Sequence, residues 1–89
     1  MNGFMLIRHQ VKNFTTWKEG YDAHARKRTD AGLTEKYLLR STRVPNEIVI
    51  LFEAQDLDRA QAFAESADLR DTMQGFGVID RPDIYFLNR

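Results

Sequence analysis

The segment Ile48-Val49-Ile50-Leu51-Phe52 is apolar at every position, and this constrains the fold more than any other stretch of the chain. Successive side chains of a strand point to opposite faces, so Ile48, Ile50 and Phe52 share one face while Val49 and Leu51 share the other. Two further segments repeat the pattern. Met5, Ile7 and Val11 oppose Phe4 and Leu6, and Ile84 and Phe86 oppose Tyr85 and Leu87. An antiparallel sheet with one wet face alternates apolar with polar residues, and these strands do not. A sheet built from them needs cover on both sides. The chain has 89 residues, which predicts one domain spanning residues 1–89. A chain that short buries only about 60% of its unfolded surface and is marginal alone. It has no cysteine, so no disulfide or thiolate metal site can reinforce it. A second copy is the simplest cover, since most oligomers are symmetric homodimers, so a homodimer through the sheet face is expected.

The rest of the sequence supplies two helical regions and one more strand. Phe4 to Val11 reads as a first strand, and Asn13 as the N-cap of a helix. At helical spacing Phe14, Trp17, Tyr21, His24, Ala25 and Arg28 fall on one side, and Gly32 supplies the stop. Lys18 and Asp22 form an i,i+4 pair elsewhere on the helix. Leu33 to Thr42 reads as a second strand, Val44-Pro45-Asn46-Glu47 as a turn, and Ile48 to Glu53 as a third strand. Asp56 caps a helix whose inner face is Leu57, Ala60, Phe63 and Ala64. Ser66 and Asp68 start a short helix from Ala67 to Gln74, ended by Gly75. Pro82 precedes a last strand, Asp83 to Leu87. The order β-α-β-β-α-β predicts an α+β, ferredoxin-like fold. Right-handed crossovers make it a four-stranded antiparallel sheet with helices on one face. Strands one and three should be central.

Thirteen basic residues balance thirteen acidic ones, so bulk charge gives no reason to seek nucleic acid or an anionic membrane. Arg26-Lys27-Arg28 sits where a helix end favours cations. The N-terminus lacks a basic stretch ahead of its short apolar run, and no apolar segment approaches the roughly 20 residues of a membrane span. A cytoplasmic location is the expectation.

Several stretches together resemble the dimeric α/β-barrel superfamily, and within it the antibiotic-biosynthesis-monooxygenase-like proteins. They are Arg8-His9-x-Val11-x-x-Phe14-x-x-Trp17, running on through Tyr21-Asp22-x-His24 and Arg28 to Ala31-Gly32. Pro45-Asn46-Glu47 follows, then Ala62-Phe63-Ala64-x-Ser66-x-x-Leu69 with Met73 and Gly77-Val78. The resemblance covers nearly the whole chain and implies the fold above, formed as a dimeric barrel. It does not transfer a reaction, because one fold hosts many chemistries. Haem-degrading relatives place a histidine, an asparagine and a tryptophan around haem beside the later helix. Here Ala67 to Gln74 has no histidine and the only tryptophan is on the first helix, so haem is not expected. Relatives that are cofactor-free monooxygenases oxidise phenols in a pocket between sheet and helices.

The inward stripe of the first helix is the candidate site. A core-facing stripe is normally aliphatic, whereas this one runs Phe14, Trp17, Tyr21, His24, Arg28. Aromatic walls with a few convergent polar groups are how small-ligand pockets are built. Trp17, Tyr21, His24 and Arg28 are the expected ligand-binding residues, with His9 joining them or facing the dimer partner. His24 or Tyr21 would be the catalytic base or hydrogen-bond partner. The alternative is that Trp17 and Tyr21 are core, His24 bonds a backbone carbonyl and Arg28 reaches solvent. Arg28 and a protonated His24 would favour anionic ligands. Two histidines without a carboxylate pair do not suggest a metal, and no nucleotide-binding or nucleophile motif is present. Three functions follow: a homodimer binding a small, partly aromatic ligand without cofactor, a cofactor-independent monooxygenase of phenols, and a structural dimer without ligand.

Overall fold

Caps set the boundaries of this chain, and the computed structural model, which describes residues 2–89, shows them at work. The elements are β1 (Gly3–Gln10), α1 (Phe14–Ala23), α2 (Ala25–Asp30), β2 (Leu33–Arg40), β3 (Glu47–Ala54), α3 (Leu57–Ala64), α4 (Ala67–Gly75) and β4 (Asp83–Leu87). Asn13 caps α1 by accepting from the Thr16 N–H, Asp56 caps α3 through Asp58, and Ser66 caps α4 through Leu69. Each removes one of the unpaired N–H groups that a helix start leaves exposed. The turn before β3 closes with Glu47 N–H donating to the Val44 carbonyl at 2.8 Å.

The strands form one antiparallel sheet in the order β2-β3-β1-β4, with the two most apolar strands in the middle. This is the ferredoxin-like arrangement. Met5, Ile7, His9 and Val11 from the first strand region, with Ile48, Ile50, Phe52 and Ala54 from β3, form the buried face under the helices.

Two boundaries differ from the sequence reading. The first helical region is broken at His24, whose ψ of 7° ends α1 and starts α2. The Tyr21 carbonyl, which an unbroken helix would pair with Ala25, accepts instead from His24 N–H at 3.2 Å and Arg28 Nη1 at 2.8 Å. A side chain stands where the helical donor would be. The later helix does not stop by a left-handed Gly75. Gly75 is its last helical residue, and the left-handed glycine is Gly77, with φ of 86°. Gly32 behaves as expected, with φ of 79° after α2.

Among the described residues, none covers the second face of the sheet. Cross-strand register aligns Tyr37, Leu51, Leu6 and Tyr85 in one row across all four strands. Tyr37 is 61% exposed, Leu39 56% and Tyr85 54%. One polar knot interrupts this face. Arg8 donates to Glu47 at 2.8 Å, Asp83 at 2.8 Å and Asp80 at 3.1 Å, and Asp80 also accepts from the Gln10 N–H. Asp80, in the loop before β4, and Asp83, the first residue of β4, are thereby tied to the central strands. No helix among the described residues is long and apolar enough to cross a membrane.

Candidate functional site

The α1–α2 break, the inward stripe and the buried end of β1 meet beneath α4. There His9, Trp17, Tyr21, His24 and Arg28 line a single cavity of about 40 Å³. All five residues proposed from sequence come together. Phe14 does not line it; its ring packs on Trp17 at 5.9 Å and lies under the Arg40 guanidinium at 3.9 Å. Trp17 is the hub. Tyr21 stacks on it at 4.8 Å between centroids and His9 meets it edge-on at 5.5 Å.

His9 takes the helix-facing side of β1 and is 2% exposed, so it does not face a partner across the open sheet. Neither ring nitrogen has a hydrogen-bond partner among the described residues. Burial lowers its pKa to about 4, with Asp80 opposing the shift and Arg8 adding to it, so the ring is neutral at physiological pH. An unpaired imidazole against an aromatic wall is a costly feature to leave in a core, and it marks the site more sharply than any other residue.

His24 lies on the far wall, between Phe63 at 6.4 Å and Phe76 at 6.1 Å from α3 and the end of α4. Burial first, and then the neighbouring Arg28 charge, lower its pKa. It is therefore a weaker base than a free imidazole and poorly suited to carry a standing charge. Tyr21 holds its proton firmly. Its hydroxyl donates to the Glu35 carboxylate at 2.7 Å, and burial together with that bond raises its pKa. Arg28 lies over the Tyr21 ring at 3.6 Å while donating to the Tyr21 carbonyl. One guanidinium nitrogen is thus engaged by the carbonyl, and Arg28 lines the cavity without an ion-pair partner among the described residues.

Tyr21 and Arg28 are shared with a second, open cleft of about 1090 Å³, whose walls include Lys18, Asp22, Glu35, Glu53 and Arg89. They form the partition between a polar cleft and a small apolar cavity. The cavity as it stands has room for a few water-sized groups, since one such site needs about 10–15 Å³. A polycyclic ligand fits only if the partition moves. The sequence reading missed the wall supplied by α3 and α4: Phe63, Leu69, Thr72, Met73 and Phe76. One sequence signal pointed to it. Gly20 stands within α1, where an added Cβ would lie 2.5 Å from the Phe76 ring. Among the described residues, no group of three or more His, Cys, Asp or Glu is placed to hold a metal ion.

Comparison with solved structures adds the fold. A structure provisionally named an antibiotic biosynthesis monooxygenase, from Bordetella bronchiseptica, matches with a TM-score of 0.73 at 17% identity, over 98% of this chain and 97% of that one. One with the same provisional name from Nitrosomonas europaea matches with a TM-score of 0.71 at 18% identity, over 99% and 89%. SnoaB, a cofactor-independent oxygenase from Streptomyces nogalater, matches with a TM-score of 0.71 at 12% identity, over 99% and 94%. The chain has the antibiotic-biosynthesis-monooxygenase fold. The fold is shared over nearly the full length of each chain, while the low identities carry no chemistry across. No family model matches the chain, and no curated protein matches it.

Proposed function

We propose that this protein is a homodimeric domain that binds a small, partly aromatic ligand between its first helical region and the sheet. The observation that carries this reading is the convergence of five chemistry-bearing residues from three elements and the α1–α2 junction on one aromatic-walled cavity. A core that served packing alone would fill that space with aliphatic side chains and would not leave His9 unpaired. The dimer is supported by the row of Tyr37, Leu51, Leu6 and Tyr85 on a face that the chain itself leaves bare. Such a face suits a second identical sheet across a twofold axis.

The single tryptophan reports on binding. Trp17 fluorescence should respond saturably to phenolic compounds, and His24→Ala should weaken that response while the fold survives. Absence of any saturable response would remove the ligand and leave a structural dimer.

A second reading has one observation in its favour, the shared fold of a cofactor-independent oxygenase. In it the bound phenol loses its proton to His24, and the electron-rich phenolate itself supplies electrons to dioxygen. Tyr21 holds its proton for Glu35 and takes no part as a base. Oxygen uptake with an electron-rich phenol, abolished in His24→Ala, distinguishes this from binding alone.

A further inference from the structure

We infer that His9 is the polar anchor of the cavity and that it selects the uncharged hydroxyl of a ligand over an anionic head group. The inference rests on the ligand-binding reading above and adds the chemistry that the ligand must present. His9 enters from β1 with its ring edge-on to Trp17, and both nitrogens lack a partner although the residue is 98% removed from solvent. Of the other polar groups of the wall, Tyr21 and Arg28 already have partners, while His24 lies between the rings of Phe63 and Phe76. The Tyr21 hydroxyl is given to Glu35, and Arg28 is held by the Tyr21 ring and carbonyl. The charges of Glu35 and Asp22 also act on Arg28.

A neutral imidazole offers one donor and one acceptor, on nitrogens whose roles depend on the tautomer. A hydroxyl can donate to one form and accept from the other, so it pairs with one His9 nitrogen in either tautomer. A carboxylate or phenolate only accepts, and entering this apolar space it would lose its hydration for a single neutral partner. The cavity's volume of about 40 Å³ fits the hydroxyl-bearing edge of a ring better than a hydrated anion. The ring itself enters only as the partition of Tyr21 and Arg28 moves aside, and Trp17 and Phe76 then flank it.

The test uses three probes that differ only in the head group: p-cresol, toluene and p-toluate. Each is titrated into the full chain at neutral pH, followed by Trp17 fluorescence and by the NMR shift of its indole N–H. The wild type should bind p-cresol about tenfold more tightly than toluene, the worth of one hydrogen bond to a neutral partner, and p-toluate more weakly than either. His9→Leu should bind toluene undiminished and lose the preference for p-cresol, and His9→Gln should regain part of it. Equal affinity for p-cresol and toluene in the wild type overturns the anchor and leaves the binding cavity standing. So does a preference that survives in His9→Leu. Tightest binding of p-toluate overturns the selection for an uncharged group. No saturable response to any probe removes the anchor and the ligand-binding reading together. Should His9→Leu fail to fold, the wild-type ranking and His9→Gln still decide.

Discussion

At His9, burial and the nearby charges of Asp80 and Arg8 pull in different directions, and burial dominates. The consequence is a pH dependence of stability with a definite sign. The folded pKa of about 4 lies below the unfolded value near 6.5, so the unfolded chain takes up its proton first as pH falls. Stability is therefore complete above about pH 6.5 and declines toward pH 4. The loss attributable to this residue is roughly 2 kcal/mol by pH 5 and roughly 3 kcal/mol below pH 4. Denaturant midpoints of the wild type and His9→Leu across that range should diverge by that amount, and parallel curves would mean that His9 titrates normally. Tyr21 has a different character. Its hydroxyl bonds a carboxylate on an exposed position of β2, so Tyr21→Phe should cost only about 1 kcal/mol, read from the same midpoints.

Among the elements, the glycines separate helix propensity from packing. Gly20 and Gly75 both lie in helices, where alanine is normally preferred by roughly 0.5–1 kcal/mol. A Cβ at Gly75 meets nothing within 4 Å, so Gly75→Ala should be neutral or stabilising by up to that amount. A Cβ at Gly20 would meet the Phe76 ring at 2.5 Å, so Gly20→Ala should destabilise by about 1–3 kcal/mol despite the same propensity gain. It should also disturb ligand response, because Phe76 is a wall of the cavity. At Gly32 the left-handed backbone itself is the constraint. Gly32→Val should cost about 1 kcal/mol or more, measured by thermal or denaturant unfolding.

For the whole molecule the decisive surface is the bare sheet face. Leu51 sits near its centre, flanked in register by Tyr37 on β2 and Leu6 on β1. Sedimentation at micromolar concentration should give twice the chain mass. Leu51→Asp should shift that to a single chain, because a carboxylate buried between two apolar sheets lacks a partner. If the wild type sediments as a stable single chain on dilution, the dimer is wrong. The cavity lies on the opposite, helix-covered side of the same sheet. Ligand response in a Leu51→Asp monomer that stays folded should therefore persist, unless the partner supplies part of the wall.

What the sequence determined by itself was whatever depends on local chemistry and on period. Alternation in Ile48 to Phe52 identified a strand with two apolar faces, the caps Asn13, Asp56 and Ser66 placed the helix starts, and Gly32 placed a stop. The stripe Trp17, Tyr21, His24, Arg28 was legible because helical spacing alone puts those residues on one side. Tertiary structure decided everything that requires one element to meet another. At the break in the first helical region the Tyr21 carbonyl accepts from Arg28, a contact no propensity encodes. Glu35 fixed Tyr21 as a donor from a strand 14 residues away in sequence. The side of the sheet taken by His9 followed from the register of β1 against β3, because a shift of one residue exchanges the faces. That register turned an ambiguous strand histidine into the unpaired buried group of the cavity.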